Sequence, residues 1–348
     1  MQNGQKLTKN SMKHLQPTNK KLLLSYTAAI ALLLTAAVSG ILLGATELNL
    51  HTLLQVLCHA DFSTPAGKIL WFVRLPRVLG SALCGGALAV SGAVIQGVLA
   101  NRLASPSIIG VNSGAGLAVT LCAAWGLVGG WPMSLFAFLG AFAAVMTVSL
   151  GAKKWGASRG TVILMGVAMN SLLGAVSDAL AVLIPEVSIH RSDFKVGDFS
   201  AVTYPKLIPA AVVIVLSTVL LCTLASELDL LTLGDENARG LGLNTERART
   251  LFLILAAALS GAAVSIGGLL SFVGLLVPHT VRRIATSESR HLLPLCALLG
   301  AGFVTLCDTL SRCLFAPYEL PVGILLASLG APFFLFVLLN RKGGHRHA

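Results

Sequence analysis

The chain has few charged residues. Asp, Glu, Lys and Arg make up 11% of its 348 residues, whereas a soluble domain carries about 25% because its surface faces water. This shortage excludes a soluble enzyme and a disordered chain. It also excludes a nucleic-acid-binding protein, despite a net charge of +11, because the loops of a membrane protein can hold the excess positive charge.

The residues of the common catalytic and metal sites are also scarce or scattered. No G-x-x-x-x-G-K-[ST] occurs, so the chain has no P-loop for nucleotide phosphates, and no H-E-x-x-H occurs. The seven cysteines form no C-x-x-C pair and no cluster with histidine, which predicts neither a disulfide nor a metal site. We therefore expect no cofactor in this chain and no catalytic residues.

What the sequence does contain is long apolar runs. Hydrophobic residues make up 55% of the chain and the mean hydropathy is +0.83. Since a hydrocarbon core of ~30 Å needs about 20 apolar residues in a helix, these runs predict an all-α, polytopic membrane protein with ten spans. The spans are 22–43, 76–99, 108–127, 131–150, 161–184, 207–225, 249–266, 271–286, 293–315 and 322–340. The 35 glycines indicate helices that pack closely through small residues.

The distribution of Lys and Arg predicts the orientation. If the N-terminus is cytoplasmic, 18 of the 25 basic residues lie in cytoplasmic segments and seven lie outside. This bias follows the positive-inside rule. We therefore expect both termini in the cytoplasm, with a basic tail at 1–21, a transmembrane domain at 22–340 and a short tail at 341–348. No A-x-A cleavage site follows the first run, so we interpret it as a span and not as a signal peptide.

One polar cytoplasmic segment is long enough to have its own structure. Residues 226–248 have a helix-forming composition interrupted by Gly234, Gly240 and Gly242. The pattern predicts two short helices at the membrane surface, and a plain loop is the alternative.

Several ordered motifs resemble those of one transporter family. They are R-L-P-R at 74–77, Q-G-V-L at 96–99, N-R-L-A-S-P at 101–106, G-V-N-S-G-A at 110–115, S-F-V-G-L at 271–275, E-L-P-V-G at 319–323 and G-A-P-F-F at 330–334. The chain resembles the permease subunit of the type II ABC importers for iron chelates, haem and cobalamin. Arg102 stands where that family usually has proline, and residues 194–199 lack the tryptophan that relatives tend to carry.

The resemblance implies the fold and the partners. It implies a homodimer of ten-helix subunits in the cell membrane, with the transport path along the dimer axis. A separate ATPase, which binds the ATP, would contact the cytoplasmic side, and a substrate-binding protein would dock outside. The resemblance does not distinguish a siderophore, haem or cobalamin as substrate. Segments 74–118 and 247–284 are loosely alike and start on opposite sides, as inverted repeats do, although their shared helix composition explains the likeness as well.

Three groups of residues are candidates for function. The resemblance assigns Arg74, Arg77 and Arg312 to a basic outer rim that docks the binding protein. The alternative is that Arg74 and Arg77 anchor their helix at the interface and that Arg312 pairs with Asp308, one turn away. The residues assigned to ATPase coupling are Gly234, Asp235, Glu236, Ala238, Arg239, Leu241 and Gly242. Ser158 and Arg159 are candidates for a cytoplasmic gate.

Two other residues have competing interpretations. Asp178 lies within a predicted span, where an acid is a functional candidate, but its place near the outer end also fits a hydrated residue. His279 is interpreted as structural. A proton- or sodium-coupled transporter would need ionisable residues near the middle of the bilayer, and Asp178 is the only candidate that the spans offer.

The orientation can be tested with single cysteines in a cysteine-free variant. We expect an impermeant maleimide to label Ser63→Cys and Ser192→Cys from outside. Ser287→Cys and Gly344→Cys should react only after permeabilisation. Reversed labelling would overturn the orientation.

Overall fold

The computed structural model describes residues 19–44, 56, 64–154 and 159–341. Within these ranges the chain is helical and has no strand. The helices are α1 (Asn19–Leu42), α2 (Pro65–Val98), α3 (Val111–Ala124), α4 (Gly130–Lys154), α5 (Arg159–Leu183), α6 (Val187–Val196), α7 (Tyr204–Thr223), α8 (Ala225–Thr232), α9 (Asp235–Gly240), α10 (Thr245–Gly267), α11 (Val273–Ile284), α12 (Ser289–Cys313) and α13 (Val322–Arg341).

Each of the ten predicted spans coincides with one of these helices. Seven helices are long and apolar enough to cross a membrane, namely α1, α2, α4, α5, α7, α10 and α12. Helix α2 begins at Pro65, before the start predicted at residue 76, because Lys68 and Arg74 interrupt the apolar run but not the helix. A π-helical turn at Leu70–Arg74 lies within it.

Helices α3 and α11 are too short to cross by themselves. They have 14 and 12 residues, which at 1.5 Å per residue gives about 21 and 18 Å. An irregular segment precedes each: a 3₁₀ turn at Pro106–Ile109 before α3 and residues 268–272 before α11. The segments 74–118 and 247–284 therefore share one order, a long helix followed by a break and a short helix.

Side-chain amides from neighbouring helices bond backbone carbonyls in the first break and in the first turn of α11. Asn170 of α5 donates to the carbonyl oxygens of Ser107 and Ile108 at 2.8 and 3.3 Å. Gln96 of α2 donates to the carbonyl oxygen of Gly274, at the start of α11, at 3.1 Å. Irregular backbone at membrane depth needs such partners, because hydrocarbon offers none.

Helix α2 lies at the centre of the bundle, packed against α10, α11 and α12, and α1 covers the other side of α12. Glycines allow the closest approaches. A Cβ atom added at Gly85 of α2 would overlap the backbone of Gly300 in α12, and one at Gly92 would overlap Gly274 of α11. These contacts bring backbones together as small residues do in membrane helices.

The short helices lie at the two ends of the bundle. At the outer end, α6 and the segment after it are bonded to the end of α10: Leu269 donates to Phe194 and Asp198 donates to Gly267, both at 3.0 Å. Phe199 is fully buried beside Gly267. At the inner end, α8 and α9 form two short helices within the segment 226–248, with α8 beginning at Ala225.

The glycine contact predicts a position-specific loss of stability. Gly85→Ala should lower the thermal denaturation midpoint of the purified subunit, because overpacking costs about 1–3 kcal/mol. Gly116→Ala is the matched control, since an added Cβ there meets nothing within 4 Å. Equal midpoints for the two variants would contradict the proposed close contact.

Candidate functional site

Arg77 lies in a buried cluster of charges at the outer end of α2. Its Nε is 3.1 Å from both carboxylate oxygens of Asp308 in α12. One terminal nitrogen donates to Glu319 at 2.7 Å, and the other lies 3.7 Å from Asp198. Arg77 is 4% exposed and Asp308 is fully buried. The guanidinium therefore joins α2 to α12 and to the segments before α7 and α13.

Arg312 approaches the same carboxylate from within α12. Its Nε is 3.4 Å from Asp308, four residues earlier. Its terminal nitrogens lie 3.2 Å from the carbonyl oxygen of Gly40 and 3.4 Å from that of Leu43. The predicted pair with Asp308 is therefore present, and Arg312 also bonds the end of α1.

Arg74 completes this arrangement. It is the last residue of the π-helical turn and donates to the carbonyl oxygens of Ile41 and Leu42 at 2.6 and 2.8 Å. The last carbonyls of a helix have no partner within the helix, and a positive charge favours that end. Arg74 and Arg312 thus cap the C-terminus of α1.

The three arginines differ from the exposed basic rim that the sequence predicted. All three are 3–4% exposed, because α1 carbonyls and the carboxylates of Asp308, Glu319 and Asp198 bind them within the subunit. The more accessible side chains of the cluster are acidic: that of Glu319 is 35% exposed and that of Asp198 is 31% exposed. A role in docking stays a prediction. Sequence reasoning missed both acids as partners, because they lie far from Arg77 in the chain.

The segment 226–248 is bonded to two long helices. Asp235 of α9 pairs with Arg249 of α10 at 2.7 Å, and Arg239 donates to Thr245 at 3.1 Å. Asp229 of α8 accepts from the backbone nitrogen and the hydroxyl of Ser289, at 3.1 and 2.6 Å, and so caps α12. Movement of this segment would therefore act on both α10 and α12.

The residues assigned to ATPase coupling divide into buried and exposed groups. Ala238 is fully buried under α9. Gly234 and Gly242 have φ of +101° and +88° on either side of α9, which L side chains rarely adopt. Glu236 and Arg239 are exposed, and Leu241 is 63% exposed.

Leu233, which precedes α9, is 55% exposed. The segment thus presents apolar side chains beside charges of both signs, the composition of a protein contact.

Three other candidates are placed as follows. Ser158 lies outside the described residues, and Arg159 begins α5. Asp178 of α5 is mostly exposed and forms an ion pair with Arg191 of α6, so it joins two helices near the outer end. His279 packs edge-on against Phe333, with ring centroids 6.3 Å apart, which fits its structural interpretation.

The buried cluster around Arg77 predicts that reversal of the Arg77 charge lowers the stability of the subunit. Arg77→Glu should place two carboxylates together, and breaking a buried pair costs about 3–5 kcal/mol. We expect little subunit in the membrane and a lower denaturation midpoint in detergent. Lys195→Glu, at an exposed outer position, is the control and should change neither. If Arg77→Glu inserts and unfolds like the wild type, the cluster does not stabilise the fold.

The comparisons with known proteins agree along most of the chain. The family model described as the FecCD transport family matches residues 31–340. The chain is 35% identical to the hemin transport system permease protein HmuU of Yersinia pestis, over 90% of this chain and 94% of that protein. It is 38% identical to the cobalamin import system permease protein BtuC of Halobacterium salinarum, over 81% and 77%.

A solved structure has the same fold. It is described as an inward-facing conformation of a metal-chelate type ABC transporter, and it matches with a TM-score of 0.79 and 29% identity over 91% of this chain and 99% of that one. Together with the membrane-spanning helices, these matches show that the chain is a multi-pass membrane protein and belongs to the FecCD transport family.

Proposed function

We propose that this chain is the permease subunit of an ATP-driven importer that moves a ferric chelate, either a siderophore or haem, across the cell membrane. The observation that carries the proposal is the match over nearly the whole length of a metal-chelate type transporter. The haem permease among the relatives supports the same substrate class. Cobalamin is the second candidate, because the cobalamin permease is similarly close to this chain.

The energy would come from a separate ATPase that contacts α8 and α9. Leu233 and Leu241 are exposed apolar side chains at the cytoplasmic end, and a groove on a partner would remove them from water. Asp229 bonds Ser289 of α12, and Asp235 bonds Arg249 of α10. A movement of α8 and α9 imposed by the ATPase would therefore be transmitted to α10 and α12. Both helices pack against the central α2.

A second copy of the chain would complete the transport path. Helix α5 leaves most of its apolar residues uncovered, with Leu164 71% and Leu172 59% exposed. Helix α13 likewise exposes Leu329 and Phe336. Two copies that meet along these helices would enclose a path, and Arg159, a predicted gate residue that begins α5, would stand at its cytoplasmic end.

The binding protein would dock at the outer end around the three arginines. Asp308 is fully buried, whereas Glu319 and Asp198 are partly exposed. The contacts of Arg77 with these two acids are therefore the ones that a partner carboxylate can reach. An acidic side chain of the binding protein could replace Glu319 as an ion-pair partner of Arg77. Docking would then change the bonds by which Arg77 connects α2 to α12. The planar guanidinium presents its donors in a fixed fork, which suits a carboxylate partner.

Uptake into vesicles tests the function and its energy source together. The subunit is reconstituted with its ATPase and binding protein, and uptake of a ferric siderophore, haem and cobalamin is measured. We expect uptake of a ferric chelate that requires internal ATP. Uptake of cobalamin alone would select the second candidate, and uptake driven by a proton gradient without the ATPase would refute the proposal.

A substitution in the exposed surface of α8 and α9 tests directly whether that surface contacts the ATPase. Leu241→Glu should prevent co-purification of the ATPase and abolish ATP-dependent uptake, because it places a charge in an apolar contact. Leu127→Glu, at an exposed position near the outer end of α3, is the matched control. If Leu241→Glu retains both the ATPase and uptake, the α8–α9 surface is not the coupling site.

A further inference from the structure

A crevice of about 250 Å³ opens between the outer halves of α4 and α7. Leu135 and Phe138 line one wall, Ala210 and Val213 line the other, and Ala262 of α10 forms the floor. Both α4 and α7 pack against α10, and they make few contacts with each other. The crevice is therefore an apolar slot between two membrane-spanning helices.

The slot opens on an exposed apolar surface of the bundle. Leu139 of α4 is 49% exposed, and Val212 and Leu216 of α7 are 53% and 64% exposed. Apolar side chains that are exposed along membrane-spanning helices contact acyl chains or another subunit. The helices proposed above to meet a second copy are α5 and α13, which do not line this slot.

A basic residue stands at the outer mouth of the slot. Lys206 lies in the first turn of α7, and its ammonium donates to the carbonyl oxygen of Ala201 at 3.2 Å. Among the described residues no carboxylate pairs with it. Asp198, which shares a neighbouring cavity with Lys206, pairs with Arg77 instead. An ammonium group has three donors, so two remain for a ligand.

The remaining groups at the mouth fit a lipid headgroup. The side chains of Ser134 and Ser265 line the slot beside Lys206. Trp131, 59% exposed, lies at the outer end of α4, where tryptophan is enriched at membrane–water interfaces. Lys206 and Val213 are seven residues apart, which gives a depth of about 10 Å along the helix. An apolar slot of this depth below a cation has the shape and charge of a phospholipid site.

We infer that this crevice binds one anionic phospholipid of the outer leaflet, with an acyl chain between α4 and α7 and the phosphate against Lys206. Phosphatidylglycerol fits because its headgroup carries only negative charge. The amine of phosphatidylethanolamine would bring a second positive charge toward the Lys206 ammonium. The inference is independent of the transported substrate.

Retention of lipid by the intact subunit tests the headgroup preference. The subunit is extracted from bilayers of equal phosphatidylglycerol and phosphatidylethanolamine, and retained lipid is measured by native mass spectrometry. We expect phosphatidylglycerol to be preferred by the wild type, and Lys206→Gln to reduce that preference about fivefold, the effect of one basic residue near an anionic surface. Lys195→Gln, at an exposed position near the outer surface, should leave the preference unchanged.

A photoreactive acyl chain tests the position. Phosphatidylglycerol with a diazirine in its chain should crosslink to Phe138 and Val213. Val213→Phe should fill the slot and reduce that crosslinking while the denaturation midpoint is retained. Equal retention of both lipids by the wild type, an unchanged preference in Lys206→Gln, or crosslinks only on other helices would each overturn the inference.

Discussion

In hydrocarbon, a polar group has no water to bind, so the protein itself must supply each partner. This constraint explains features of the subunit that otherwise look unrelated. Asn170 bonds carbonyls in the 3₁₀ turn before α3. Gln96 bonds the carbonyl of Gly274 in α11, which has no helical partner because Pro278 lacks an N–H group. Arg74 and Arg312 bond the last carbonyls of α1. The same requirement holds Asp308, which is fully buried, between two arginines.

Close packing determines which helices these polar groups connect. The glycine contacts bring α2 against α12 and α11, and α2 carries Arg77 in its outer part. Asp308 lies in α12, whose inner end is capped by Asp229 of the segment 226–248. One helix therefore takes part in the buried cluster at its outer end and bonds the segment 226–248 at its inner end.

The helices at the edge of the bundle differ in the apolar surface that they leave uncovered. Helices α5 and α13 expose apolar residues along much of their length, as suits a contact with a second copy. Helices α4 and α7 instead leave a narrow slot with a lysine at its mouth. A lipid in that slot would fill the gap between α4 and α7 beside the cavity that α6 borders.

The sequence alone determined the class of protein, because low charge and long apolar runs have one physical meaning in a chain of this length. It also located the ten apolar helices, seven of which are long enough to cross a membrane, and the two short helices of 226–248, since hydropathy and helix-breaking glycines are local signals. It predicted 271–286 as the shortest span, but it made both α3 and α11 longer than they are, because the apolar run continues through the irregular segments beside them. It did not predict the burial of the three arginines. Only the tertiary structure brought Asp198 and Glu319 to Arg77 and the α1 carbonyls to Arg74. Those partners lie 32 or more residues away in sequence. Only packing decides whether a charge at a helix end faces water or its own subunit.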